Sequence, residues 1–459
     1  MSNPPRPGRM RGAGRGPTPG FAALAAPAAP AAPAASFGPS SSAHRDRPAA
    51  RPARQGPGAS LRQGAYRVAE DVARRVRLGH PWVFREAIGP RRISEPTGSV
   101  VELVQGNRDF VGRGYVDRDH SVAVRILTRD SKEAIHPGAG AIAARFCRAV
   151  QLRWQVLGAV RPTAMRLFAG ESEGLPGVAV DRYGDFVVVQ WLAAGALPWR
   201  DELYEAITSS VAPRGIYEQK RLKPLGGEAL PEPAVRVAGQ EAPLETIVEE
   251  DGCRFAVDVT APLGVGFFPD MRLGRDAVAR RAADRRVLNL FSYTGAFSAR
   301  AAKAGASEVV AVDSAAKAHA RARRNFELSG LDTSRLELIT ADALKTIERF
   351  ADRGRAFDLV VCDPPTFSHG PGRSFSAVAD LGPLAGAAAR VLTAGGLLAF
   401  ATNATRLSAT DLDRAIADGA AAARQDLRIV ERLGLPPDFP VSPGFPEGNY
   451  LKFVLAVKV

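Results

Sequence analysis

"VLNLFSYTGAFS" (287–298) sets an apolar run against a tight turn and then against the start of a helical pattern. Further apolar runs follow at regular distances: "SEVVAVD" (307–313), "LELITAD" (336–342), "FDLVVCD" (357–363) and "GGLLAFAT" (395–402). Most end in a polar residue or a Gly-rich turn, and Ala- and Arg-rich helical segments separate them. Alternation of this kind predicts βαβ units and a parallel, doubly wound sheet. Such sheets bind ligands beyond the carboxyl ends of their strands, where these polar residues fall. The closing "PEGNYLKFVLAVKV" (446–459) predicts a last, antiparallel strand.

The first turn carries one glycine, Gly295, where a dinucleotide fingerprint needs three. Asn289, Phe291, Ser292, Tyr293, Thr294 and Gly295 are expected to line a ligand there. The second strand ends at Asp313, placed to grip both hydroxyls of a ribose. The third ends at Asp342, placed to reach an adenine amino group, and the fourth at Asp363. Acids at consecutive strand tips, with few glycines for phosphates, suit a cationic nucleoside, and S-adenosylmethionine fits that description.

Upstream, the texture differs. "GSVVELVQGNRDFVGRGYVDRDHSVAVRILTRD" (98–130) has short apolar runs broken by turns, which predicts a small β-barrel. Residues 138–159 read as a helix, with Ile142, Phe146, Val150 and Trp154 at four-residue steps. "GVAVDRYGDFVVVQWL" (177–192) reads as a hairpin turning at Gly184 and Asp185. A helix at 199–210 and strands near 215–219 and 246–258 complete a second α/β module. The expected division is a basic tail at 1–65, the barrel at 66–135, the linking α/β module at 136–260 and the doubly wound domain at 261–459.

Bulk numbers narrow the function class. The chain of 459 residues has a net charge of +13 and a pI near 10.1, which favours a polyanionic partner. Arg6, Arg9, Arg11, Arg15, Arg45, Arg47, Arg51 and Arg54 face a single acid, Asp46, in the first 60 residues. Proline recurs through "AALAAPAAPAAPAAS" there and prevents a helix. No apolar run of about 18 residues offers a membrane span, and no secretory signal opens the chain. Cys147, Cys253 and Cys362 have neither metal-ligand nor disulfide spacing. The reading is a cytoplasmic protein without a metal.

Six stretches together resemble one family: "GHPWVF" (79–84), "AGESEGLPGVAVDRYGDF" (169–186), "GVGFFPDMR" (264–272), "LFSYTGAF" (290–297), "DPPTF" (363–367) and "FPEGNYLK" (445–452). These resemble the bacterial large-subunit rRNA methyltransferases that join a PUA domain, a linking α/β domain and a Rossmann-like methyltransferase domain. The resemblance implies that Asp270 and Arg272 help close the cofactor pocket, although "GFFPDMR" has Phe and Pro where the family commonly shows Tyr and Leu. It implies RNA contact by His80, Trp82 and Arg85, large-subunit rRNA as partner, and it permits a homodimer.

Two chemistries occur in that family. Methylating cytosine C5 needs a thiolate to attack C6 first, whereas guanine N7 already presents a lone pair. Strand alternation puts Phe357, Leu359, Val361 and Asp363 on one face and Cys362 on the other, so Cys362 is read as core. The Ser-Cys-Ser of the cytosine-C5 members is replaced here by Thr402, Asn403 and Ala404. "DPPTFS" and Asn403 look instead like the guanine-N7 domain of related bifunctional enzymes. In that reading Asp363, Pro364 and Pro365 form a stiff corner, Phe367 stacks on the flipped base and Asn403 binds its edge. Ser368 to Gly372 read as a mobile flap, with His369 solvated. The alternatives are a cytosine-C5 methyltransferase, an RNA-binding factor that keeps the fold without turnover, and a small-molecule methyltransferase.

Overall fold

The computed structural model describes residues 64–88, 93–159, 161–222, 232–370 and 373–459. The basic tail lies outside them as far as residue 63, as do residues 371–372 of the expected flap.

The first sheet contains β1 (Ala65–Arg67), β2 (Trp82–Phe84), β3 (Val100–Gln105), β4 (Asp109–Val116) and β5 (Val122–Thr128), in the order β1-β3-β4-β5-β2. Its apolar face closes on Val76 and Ala73 of the short helix Glu70–Arg77. Next come β6 (Ala164–Ala169), β7 (Val178–Tyr183), β8 (Phe186–Trp191), β9 (Gly215–Lys220) and β10 (Val235–Gly239), ordered β10-β9-β8-β7-β6. The expected hairpin is β7–β8, paired from Val178↔Trp191 to Tyr183↔Phe186. Helices Ala141–Leu157 and Arg200–Val211 cover one face. A hairpin of β11 (Thr246–Glu250) and β12 (Cys253–Val257) leads on to the largest sheet.

That sheet holds β13 (Arg286–Leu290), β14 (Glu308–Asp313), β15 (Leu336–Thr340) and β16 (Phe357–Cys362). After β16 a small hairpin, β17 (Phe367–Gly370) with β18 (Arg373–Ser376), stands apart. β19 (Leu392–Thr402), β20 (Leu427–Leu433) and β21 (Lys452–Lys458) complete the order β15-β14-β13-β16-β19-β21-β20. β13, β14, β15, β16 and β19 run parallel, and β21 is antiparallel to both neighbours, as the sequence predicts. The parallel strands are apolar on both faces because helices cover both. Val287, Val309, Ala311, Leu359, Val361 and Ala399 enter one core layer. Leu288, Leu290, Val310, Val312, Val360, Cys362, Leu398 and Phe400 enter the other.

Phe357 departs from the strict alternation expected of it. It packs with Cys362 in the second layer rather than with Leu359. A register shift between Phe357 and Leu359 in the pairing with β19 breaks the period there, as a bulge does. The segment read as a flap is likewise ordered differently: Phe367 to Gly370 pairs antiparallel with Arg373 to Ser376.

Candidate functional site

Parallel registers bring strand tips level: Leu290 pairs with Val312 and with Cys362, and Cys362 pairs with Phe400. Beyond them opens a cavity of about 700 Å³. Phe291, Ser292, Tyr293, Thr294, Asp313, Asp342, Asp363, Pro364, Pro365, Asn403 and Asp270 all border it. The sequence-expected set therefore converges, with exceptions that the packing explains.

The turn after β13 is tightly held. Phe291, Tyr293 and Gly295 have φ of 57°, 47° and 75°, and for the two aromatic residues that conformation is strained. Hydrogen bonds made by three side chains and one ring stack hold it. The Asp313 carboxylate accepts from the Tyr293 N–H at 2.8 Å and from the Ala315 N–H at 2.9 Å. Thr294 Oγ1 donates to the Gly266 carbonyl at 2.6 Å. Asn325 Nδ2 donates to the Thr294 carbonyl at 2.8 Å. Tyr293 stacks on Phe268, with ring centroids 5.4 Å apart and planes at 30°. Asn289 is buried beneath this turn, where its Nδ2 donates to Ser298 Oγ at 2.9 Å, and it does not border the cavity. Gly295 does not border it either. Its place is structural, because a Cβ there would lie 2.9 Å from Ala322 Cβ.

Asp342 caps the helix Ala343–Asp352 by accepting from the Lys345 N–H at 2.8 Å. It thus serves the helix and the cavity wall together. Asp363 is half-buried at the wall. Burial pushes its carboxyl up to about 7, the negative Asp270 adds to that, and Arg275 opposes it. Asp270 accepts from Tyr450 Oη at 2.8 Å, and burial raises its pKa too. Asn403 Oδ1 accepts from Thr366 Oγ1 at 2.6 Å, which orients the amide beside Asp363 and Pro364.

Four expected residues sit elsewhere. Arg272 turns away from the cavity: it donates to Asp438 at 2.7 and 3.2 Å and to the Ala164 carbonyl at 2.9 Å, tying the linking module to the large domain. Phe367 is 46% exposed and lies outside the cavity wall. His80 and Trp82 are buried at the seam between the first and last segments. Trp82 packs edge-on against Phe445 at 4.6 Å, and His80 Nε2 lies 3.3 Å from Glu447 Oε1. Little of either side chain reaches solvent. Arg85 is exposed, and its guanidinium donates to the backbone carbonyls of Arg118 and His120.

Sequence reading missed Phe268, Arg275 and Phe375, which all border the cavity. Phe268 lay within a quoted motif, whereas Phe375 followed the segment taken for a flap. Phe375 rests on Phe291 with centroids 5.5 Å apart.

Asp313, Asp342 and Asp363 stand at the strand tips with Asp258 and Asp270 beside them, next to an aromatic stack and a turn that lacks the glycines a pyrophosphate requires. The cleft therefore suits a cationic nucleoside, and the fold and cleft define a Rossmann-like transferase of that kind. The chain belongs to the S-adenosylmethionine-dependent methyltransferase family, whose model matches residues 205–450, and a PUA-like domain model matches 67–129. Among curated proteins it is similar to the ribosomal RNA large subunit methyltransferase I of Shewanella denitrificans, at 36% identity over 82% of this chain and 95% of that protein. The protein of the same name from Photobacterium profundum is 33% identical over the same shares. Among solved structures, a protein described as a SAM-dependent methyltransferase from Streptococcus mutans superposes with a TM-score of 0.75 at 26% identity, covering 86% of this chain and 100% of that one. A methyltransferase complexed with SAH matches with the same figures. S-adenosylmethionine is the cofactor.

Proposed function

We propose that this chain methylates a base of large-subunit rRNA at a purine nitrogen, guanine N7 being the target, in the cytoplasm. The rRNA substrate is taken from the names of the curated relatives and agrees with the net charge of +13. In this reading residues 66–135 contact RNA through the neighbourhood of Arg85, residues 136–260 link, and residues 261–459 carry the reaction.

The placement of the cysteines supports the nitrogen target. Cys362 is fully buried and does not border the cavity, and burial together with Asp363 raises its thiol pKa far above the range of a nucleophile. Cys253 is buried with its thiol pushed up to about 11, and Cys147 lies on the helix Ala141–Leu157 of the linking module. No cysteine borders the cavity, so the thiolate that C5 chemistry requires is missing from it.

Bound S-adenosylmethionine supplies an electrophilic methyl group. Asp313 would hold the ribose hydroxyls, Asp342 would meet the adenine amine, and the Phe268–Tyr293 stack would wall the nucleoside. Asp363 accepts hydrogen bonds from base N–H groups, and Pro364 and Pro365 stiffen that corner. Asn403 meets the base edge. N7 carries no proton, so no base catalyst is needed, and positioning supplies most of the acceleration. The purine gains positive charge on methylation, which the carboxylates of Asp363 and Asp270 stabilise. Mass spectrometry of large-subunit rRNA nucleosides from a deletion strain tests this. Loss of 7-methylguanosine is expected, and loss of 5-methylcytidine would refute the nitrogen target.

A further inference from the structure

Arg275, Lys317, Arg321 and Lys345 border the cleft, and the one that is buried, Arg275, takes no part in the chemistry above. Arg275, on the helix Arg272–Ala279, is only 2% exposed yet borders the cavity. Its Nε and Nη2 grip the two Glu250 oxygens at 2.7 and 2.6 Å, and its Nη1 donates to the Phe268 carbonyl at 2.8 Å. The guanidinium also lies 4.3 Å from the centre of the Phe267 ring. A fork of this kind fixes a guanidinium in one orientation. Glu250 is itself held on either side, by Arg272 at 3.8 Å and Arg300 at 3.7 Å. The clamp therefore runs from β11 through Arg275 to the backbone of Phe268, whose ring stacks on Tyr293 of the cofactor turn.

We propose that Arg275 is the positioning residue of the cofactor cleft: clamped by Glu250, it fixes the Phe268 backbone against the cofactor turn and sets a permanent positive charge beside Asp270 and Asp363. The alternative use of a buried, ion-paired arginine is domain adhesion alone. That alternative accounts for Glu250 but not for the third bond, which goes to Phe268, whose ring stacks on Tyr293 of the cofactor turn. The charges acting on Asp363 are Asp270 and Arg275. Those acting on Asp270 are Arg166, Arg275 and Asp181, with Tyr450 bonded to it directly. Arg166 and Asp181 pair with each other at 2.8 Å, as Arg275 and Glu250 do at 2.6 Å, and Arg275 is the cation that acts on both Asp270 and Asp363.

The inference rests on the cofactor-site reading and not on the identity of the methylated base, so its test omits RNA. Calorimetry would measure binding of S-adenosylmethionine and S-adenosylhomocysteine to the full chain between pH 5.5 and 8.5. Arg275→Lys keeps the charge but cannot span Glu250 and Phe268 together. It is expected to weaken both ligands about tenfold with the pH midpoint of binding unmoved. Arg275→Gln removes the charge, so that midpoint is expected to rise by about one pH unit, more clearly for the cationic ligand. Wild-type affinity in Arg275→Lys would overturn the positioning role, and an unmoved midpoint in Arg275→Gln would overturn the electrostatic one. If Arg275→Gln does not fold, Glu250→Gln releases the guanidinium without deleting its charge. That variant is expected to bind like Arg275→Lys, and wild-type binding by it would overturn the proposal.

Discussion

Replacing Asp363 with asparagine should stabilise the ligand-free protein, and increasingly so as pH rises. The Asp363 carboxyl stands at about 7 in the folded chain against an ordinary 3.8. The folded protein therefore keeps a proton that the unfolded chain has already released. Its contribution is fully present below the unfolded value and is lost as pH climbs through the folded one. At about 1.36 kcal/mol per pH unit, the whole interval corresponds to roughly 4 kcal/mol, of which about 2.7 kcal/mol accrues between pH 5 and pH 8. The side chain is half-buried beside an open cavity, and water there reduces the effect to about 1–2 kcal/mol. For a domain of this size that is a gain of about 2–8 °C in melting temperature. Differential scanning calorimetry of wild type and Asp363→Asn at pH 5 and pH 8 reads the gap. It should widen by that amount and narrow again when saturating S-adenosylmethionine gives the carboxylate a cation to face. A gap that stays constant between the two pH values, or a variant that melts lower at pH 8, would refute the reasoning.

Cys362→Ala should leave methylation within about threefold of wild type, because the thiol lies in the core and away from the cleft; trapping on a 5-fluorocytidine RNA should yield no covalent adduct, as gels under denaturing conditions would show. Trp82→Ala should cost about 3–5 kcal/mol by emptying the seam against Phe445, measured by urea unfolding. Arg85→Ala should instead leave the melt unchanged and lower the salt dependence of RNA binding by about one counterion. Gly295→Ala should cost at least about 1 kcal/mol, since φ is 75° and the new Cβ meets Ala322; weakened calorimetric binding of S-adenosylhomocysteine should accompany the lower melting point.

These effects divide along a line that also separates what was legible in the sequence from what was not. The parallel strands could be read because helices on both faces make them continuous apolar runs, and their last residues mark the cleft without further information. Asp313, Asp342 and Asp363 belong to that class. Asp342 shows its limit, since an acid before a helix is equally a cap and a ligand-facing group, and here it caps the helix while bordering the cavity. Residues whose role depends on long-range docking were not legible. Arg272 and Arg275 lie one helical turn apart, and only the arrival of Asp438 on one side and Glu250 with Phe268 on the other decides which borders the cavity. For His80 and Trp82 the resemblance implies RNA contact, with barrel core an equal reading of Trp82, and only Phe445 and Glu447 closing over them show the seam. Both halves of that seam, "GHPWVF" and "FPEGNYLK", are stretches that carried the family resemblance. Their shared contact gives them a packing reason to be retained that is independent of RNA. A motif that looks like a binding signature in one dimension can therefore be half of a domain interface in three, and its partner is then a second motif of the same chain.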